Sequence, residues 1–319
     1  MKLALAGDTM LGRLVGERLA VAPPERFVSD GVVAVAREAD LFILNLECTI
    51  SARGDPWLMP GKPFYFRAPP EATALLRHLG VDCVTLANNH ALDFGTEALQ
   101  DTFRNLAAAG IAWAGAGENE SEARSPRVLD ASGTRVAVIG LTDDPSDYAA
   151  TRGSPGVAYA DLSRENPFWL LEAIRNVDAD VIVVTPHWGP NMVRDPVAYV
   201  RRAATEFCSE GATLVAGHSA HVFHGVSDRV IFDLGDFIDD YATDPVLRND
   251  LGLLFLVTFE SGIPTQLEAV PLGLDFCHTR LAEPDEAIWI ARRFEQLCSA
   301  FGTTVVERSG RLVIELESH

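Results

Sequence analysis

The feature that most constrains this chain is a repeated succession: a short apolar run suited to a buried strand, polar residues that carry chemistry, then a stretch of helical periodicity. Lys2–Ala6 runs into Gly7-Asp8, Asp40–Leu46 into Glu47, and Val81–Leu86 into Asn88-Asn89-His90. Val181–Thr185 runs into Pro186-His187-Trp188, Thr213–Ala216 into Gly217-His218, and Val230–Leu234 into Gly235-Asp236. Helical spacing covers Leu11–Leu19, Val32–Glu38, Glu71–Leu79, Thr96–Ala109, Asn166–Val177 and Val197–Ser209. Apolar strands alternating with amphipathic helices predict an α/β fold. In such folds ligands gather where the strands end.

The 319 residues fit one large domain spanning 1–319, and 48% hydrophobic residues suffice for a sizeable core. Residues 276–319 read as a C-terminal extension, with a helix over Pro284–Phe301 and short strands at Thr303–Glu307 and Arg311–Leu316. Before it, Leu253–Phe259 and Thr265–Pro271 read as a hairpin. Against 45 acidic residues stand 26 basic ones, a net charge of −19. That balance argues against a nucleic-acid partner and suits a protein that binds cations. Cys48, Cys83, Cys208, Cys277 and Cys298 are scattered, without CxxC spacing, and read as reduced thiols of a cytoplasmic protein. The N-terminal apolar run is too short for a signal peptide, and no 18-residue apolar run exists, so no membrane association is expected. The oligomeric state is not legible.

Several polar groups at strand ends are candidates for a site. Asn89 offers a neutral oxygen ligand, and His90 either a nitrogen ligand or a general acid/base oriented by Asp93 three residues on. Taken alone, this string also fits an Asn-rich turn with a capping Asp. Its company decides otherwise: Asp8, Glu47, His187, His218, His221 and Asp236 follow equivalent strands. His218, His221 and His224, three residues apart between Gly217 and Gly225, are the strongest single signal. A helix bearing histidines on one face is the competing reading, and the bracketing glycines count against it. Oxygen and imidazole donors without thiolates suit Ca²⁺, Mn²⁺ or Mg²⁺, with Zn²⁺ also compatible, one or two ions per chain. The Pro/Gly-rich loop 51–70 carries Trp57, Lys62, Tyr65 and Arg67 and is long enough to bind something. A second long loop covers 145–165.

Together, Gly7-Asp8, Asn45-Leu46-Glu47, Asn88-Asn89-His90, Pro186-His187-Trp188-Gly189 and Gly217-His218…His221 resemble the CapA (poly-γ-glutamate capsule) branch of the calcineurin-like metallophosphoesterases. Gly61-Lys62-Pro63…Phe66-Arg67-Ala68-Pro69 and Gly235-Asp236-Phe237 are also similar to that branch. The resemblance covers most of residues 1–275. It implies a four-layer α/β/β/α sandwich of two mixed sheets. It implies metal-site roles for Asp8, Glu47, Asn89, His187, His218 and His221, and makes His90 the general acid/base held by Asp93. The chain departs from the wider superfamily at three points. Met10 stands where Asp-x-His would place a ligand, Glu47 replaces a bridging Asp, and His218-Ser219-Ala220-His221 is one residue longer than His-x-His.

These departures favour one metal flanked by free histidines over a tight two-metal phosphoesterase centre. Some unanchored relatives of CapA are peptide epimerases, so the leading expectation is metal-dependent Cα epimerisation of a peptide, L to D. Epimerisation needs two acid/base pairs. His90–Asp93 is one, and the second draws on His187, His218, His221 or His224 with Asp8 or Asp236. Lys62, Arg67, Trp188 and His224 are read as facing substrate. The alternatives are hydrolysis of a phosphoester or amide, and a CapA-like module that binds a polyglutamate-like ligand.

Overall fold

The computed structural model describes residues 1–58 and 62–316. Gly61 of the loop motif, and residues 317–319 of the expected extension, lie outside the described residues.

Lys2–Thr9 lies within a ten-stranded mixed sheet. It pairs in parallel with Leu41–Leu46 and antiparallel with Leu251–Glu260. From Leu41–Leu46 the sheet continues in parallel through Cys83–Thr85 to Ala112–Ala114. On the other side, Ile263–Asp275 pairs antiparallel with Leu251–Glu260 and with Arg311–Glu315. A six-stranded sheet is built on Thr134–Thr142, Val181–His187 and Leu214–Ala216, all parallel, with an antiparallel pair at each end.

Side-chain alternation along the strands sorts the apolar residues into three layers. Leu3 and Leu5 face Val136, Val138, Val181 and Val183 between the sheets. Ala4 and Ala6 point the other way, toward Val32, Leu75, Leu76 and Leu99 on helices. Ile139, Leu141 and Val184 pack on Leu170, Ile174, Ala203 and Phe207, the outer layer of the smaller sheet. Both faces of both sheets are therefore covered, which is why the strands read as continuous apolar runs. This is the expected α/β/β/α sandwich.

One expectation is filled out and one revised. Residues 276–316 hold the helix and strands expected of them, built into the core. The helix Pro284–Ser299 places Ile290, Phe294 and Leu297 in the core between the sheets, and Arg311–Glu315 adds a strand to the larger one. The two long loops also carry structure. Thr49–Ile50 pairs with Arg67–Ala68, and Gly156–Val157 pairs with Ala116–Gly117. Elsewhere the elements shift by a few residues, as with Leu251–Glu260 and Ile263–Asp275, which extend the expected hairpin at both ends.

Candidate metal centre

The site forms where strand ends of the two sheets meet. Lys2–Thr9 delivers Asp8, and the backbone N–H of Asp8 donates to the Gly235 carbonyl at 2.8 Å. Residue 7 must be glycine, because a Cβ there would lie 1.8 Å from the Gly235 oxygen. Asp236 opens a strand parallel to the first, in register with Asp8. Glu47 follows Leu41–Leu46, and His187 ends Val181–His187. Residues 217–225 form no helix; Ser219 and His221 adopt φ of 110° and 59°. Asp233 holds this irregular turn, accepting from the N–H of Ala220 at 2.8 Å and of Gly235 at 2.9 Å. Ser219 N–H donates to Asp8 at 3.3 Å. The turn thus aims both His218 and His221 at the carboxylates.

The distances are short. His187 Nε2 lies 3.4 Å from Glu47 Oε1, His218 Nδ1 lies 3.6 Å from Asp8 Oδ1, and His221 Nδ1 lies 3.4 Å from Asp8 Oδ2 and 2.8 Å from Asp236 Oδ1. Asp8, Glu47 and His187 offer donor atoms within 4.8 Å of one another, and so do Asp8, His221 and Asp236. Among the candidate site residues, the buried atoms Glu47 Oε1, Asn89 Oδ1, His187 Nε2, His218 Nδ1 and Asp236 Oδ2 find no hydrogen-bond partner among the described residues. Buried polar atoms are normally satisfied. Convergent orphans of this kind fit a cation, and the donor set of oxygens and imidazoles suits a divalent one.

Charge points the same way. Burial and the neighbouring Glu47 raise Asp8 to about 6. Burial opposes ionisation of Glu47 too, but His221 and His187 outweigh it and lower Glu47 to about 2. Two carboxylates with oxygens within 4.8 Å of each other therefore share the site unequally unless a cation neutralises both. Burial and the nearby His187 lower His218 to about 3, so its ring is neutral and carries a free lone pair, the form a metal needs.

Beside this cluster stands His90. Its Nδ1 lies 2.6 Å from Asp93 Oδ2, and its ring stacks on Phe66 with centroids 3.9 Å apart. Asp93 is saturated: the Phe66 N–H, the Tyr148 hydroxyl at 3.0 Å and Lys62 Nζ at 3.0 Å also reach it. Burial lowers His90, leaving it neutral near pH 7.

Of the expected site residues, Asp8, Glu47, His187, His218, His221 and Asp236 come together, with His90–Asp93 alongside and Asn89 next to His90 in the chain, its Oδ1 buried. The four residues read as facing substrate make contacts within the protein. Trp188 is buried, donates to the Phe232 carbonyl at 3.0 Å and stacks on Phe207, so it is core. His224 is buried and bonds the Val193 carbonyl, outside the cluster. Arg67 donates to the carbonyls of Arg53 and Gly54 and lies over the Phe94 ring. Lys62 pairs with Asp93 at 3.0 Å and donates to the Asn89 carbonyl at 2.6 Å. Sequence reasoning missed Asn45, Asn88, Tyr148 and Tyr241. Asn45 donates to Asp8 at 2.7 Å while accepting from Thr85 and Asn88 at 3.0 Å, which links three strand ends. Its place in Asn45-Leu46-Glu47 was the available signal; the tyrosines come from distant loops and gave none.

Residues 2–241 match the family of the bacterial capsule synthesis protein PGA_cap. The chain belongs to this family. The stretch that matches PGA_cap contains the whole strand-end cluster, from Asp8 through Asp236, and ends at Tyr241. The chain is similar to the probable polyglutamine synthesis accessory protein of Mycobacterium tuberculosis, with 30% identity over 300 residues, 86% of this chain and 76% of that protein. It is 28% identical over 246 residues to the PGA biosynthesis protein CapA of Bacillus subtilis, covering 75% of this chain and 63% of that CapA. Its fold is similar to a solved hypothetical protein from Thermus thermophilus, at 15% identity and a TM-score of 0.50 over 85% of this chain and 98% of the other. Among the described residues of this PGA_cap member, no helix is long and apolar enough to cross a membrane.

Proposed function

We propose that the chain is a metal-dependent hydrolase of polyglutamate-type peptides, with His90 moving the proton as the bond is cut. The observation that carries this is the 2.6 Å His90–Asp93 pair, next in sequence to Asn89, whose side-chain oxygen is buried and without a partner among the described residues. The base is thereby tied to the ion site.

Asp8, Glu47, Asn89, His187 and His218 would hold a divalent ion, which when bound would supply Lewis-acid polarisation. The chain's own residues do the rest. Neutral His90 accepts the proton of an attacking water through its Nε2 as the new carbon–oxygen bond forms. Asp93 stabilises the resulting imidazolium, and Lys62 and Tyr148 fix Asp93 in place. The leaving nitrogen or oxygen then takes that proton as its bond to carbon breaks. The words polyglutamine and PGA in the relatives' names support a peptidic acid as substrate. All five cysteines are unpaired, which supports a reducing, cytoplasmic setting.

Cα epimerisation is the second reading, favoured by the His221–Asp236 pair at 2.8 Å. It ranks lower because His221 and Asp236 lie against Asp8 within the donor cluster. Among the described residues of the site, His90–Asp93 is then the one His–Asp pair outside the donor cluster, and inversion needs a base on each face. The test is incubation of the Mn²⁺-loaded protein with poly-γ-glutamate, and separately with p-nitrophenyl phosphate, in heavy-oxygen water and in deuterated water. Shortened chains carrying heavy oxygen are expected. Deuterium at Cα without shortening would replace this reading by epimerisation, phosphate release by phosphoesterase chemistry, and binding without turnover by a ligand-binding role.

A further inference from the structure

A cleft of about 440 Å³ opens beside His90, and Arg13, Glu17 and Arg67 are the charged residues that line it. Its two arginines come from segments far apart in sequence. Residue 12 lets those segments meet, because a Cβ there would lie 2.9 Å from the backbone nitrogen of Arg67. Arg13 follows with φ of 47°, a backbone conformation that costs a non-glycine residue energy. Arg13 Cζ lies 5.5 Å from the centre of the Phe66 ring, which stacks on His90. It lies 5.6 Å from the centre of the Tyr241 ring, which stands edge-on to His221. One aromatic ring therefore separates Arg13 from each histidine.

Neither guanidinium is used up within the protein. Arg13 gives Nε to Asp240 at 3.2 Å and pairs with it through Nη2, while Nη1 has no partner among the described residues. Arg67 gives Nη1 to the carbonyls of Arg53 at 3.1 Å and Gly54 at 2.9 Å and lies 4.2 Å over the Phe94 ring. Its Nε and Nη2 have no partner, and no carboxylate pairs with it, among the described residues. These contacts fix the plane of each guanidinium and leave N–H groups of each unused. Glu17 is exposed, where water screens it, and pairs with neither arginine among the described residues. Guanidinium groups with unused N–H donors on an open cleft suit a planar carboxylate, which takes two such bonds at once. We propose that this cleft binds a carboxylate of the substrate, with Arg67 and Arg13 as the residues that recognise it. The proposal rests on the reading of the substrate as a peptidic acid, and it deepens that reading by naming the group recognised and the residues that select it.

The experiment measures affinity without turnover. The full chain, kept in chelator so that no bound ion recruits carboxylates by itself, is titrated in a calorimeter with three probes. These are γ-linked triglutamate, the same peptide with every carboxylate converted to a carboxamide, and inorganic phosphate. The acid is expected to bind about tenfold or more tighter than the amide, and Arg67→Gln to lose about tenfold or more, the scale of a hydrogen bond to a charged group. Glu17→Gln, on the exposed rim, should tighten triglutamate binding about two- to fivefold, as for an exposed charge–charge contact. Equal affinity for acid and amide overturns the proposal, as does an Arg67→Gln or Glu17→Gln protein that binds triglutamate as the wild type does. Phosphate binding tighter than triglutamate overturns it too. Should Arg67→Gln fail to fold, the acid-to-amide ratio and Glu17→Gln decide. Cleavage by the Mn²⁺-loaded protein alongside equal binding of acid and amide would remove the subsite and spare the hydrolase; selective binding of the acid without cleavage would do the reverse.

Discussion

In the proposed hydrolase His90 moves the proton, and its surroundings suit that task. Phe66 packs on the ring and Asp93 fixes the tautomer, while Lys62 and Tyr148 keep Asp93 from turning away. His90→Ala is expected to lower turnover about a hundredfold or more, in the range removed with a general acid/base, and to leave Mn²⁺ content unchanged. Full activity in that variant, measured on poly-γ-glutamate, would remove His90 from its role. Asn45 acts differently, by holding the buried side chains of Asp8, Thr85 and Asn88 together. Truncating it strands three buried polar groups, so Asn45→Ala should cost about 1–3 kcal/mol per group left unpaired, less whatever water replaces. Urea denaturation of the metal-free protein measures that loss, and a midpoint equal to wild type would show that Asn45 has no such function.

The helix Pro284–Ser299 is the element whose importance is easiest to underestimate. It sits far along the chain from the site, yet Phe294 stacks edge-on against both Phe223 and Phe255 between the sheets. Phe294→Ala should destabilise the fold by about 3–5 kcal/mol, as for other large core truncations. A change below about 1 kcal/mol, read from denaturant midpoints, would mean the helix is only an outer cover. The strand-end groups Asp8, Glu47, Asn89 and His187 were legible in the sequence because an apolar run fixes where a strand stops and so which residues stand at its tip. Direction beyond the strand end was not legible. Trp188 comes directly after His187, yet it turns into the core to reach the Phe232 carbonyl, and His224 turns away from the site to the Val193 carbonyl. Lys62 and Arg67 looked alike as loop cations, but only contacts made by folding send Lys62 to Asp93 and Arg67 to nearby carbonyls. Tyr241 meets His221 and Glu47 only through the fold.

Across the molecule, an acidic chain of net charge −19 concentrates buried carboxylates at one place, and that makes its stability depend on pH and on cations together. Burial raises Asp236 and Asp233 well above the usual carboxylate range, and Asp239 to about 6. Burial opposes charge on His187 and His221, yet both are raised, His187 by its bond to Glu47 and His221 by Asp236. Each of these groups binds its proton more tightly folded than unfolded, so stability falls as pH rises through the folded values. His90, His218 and His224 are lowered, but above pH ~6.5 they are neutral in both states and contribute no slope. Metal-free protein should therefore melt higher at pH ~6.5 than at pH ~8, and Mn²⁺-loaded protein should show the reverse, because protons compete with the ion. Parallel slopes with and without Mn²⁺ in thermal melts would contradict this. The most direct test of the metal-centre assignment is an anomalous difference map from crystals soaked in Mn²⁺. Peaks are predicted within about 2.0–2.6 Å of the donor atoms of Asp8, Glu47 and His187, the span of oxygen and imidazole ligation; a map with manganese only elsewhere on the surface would contradict it.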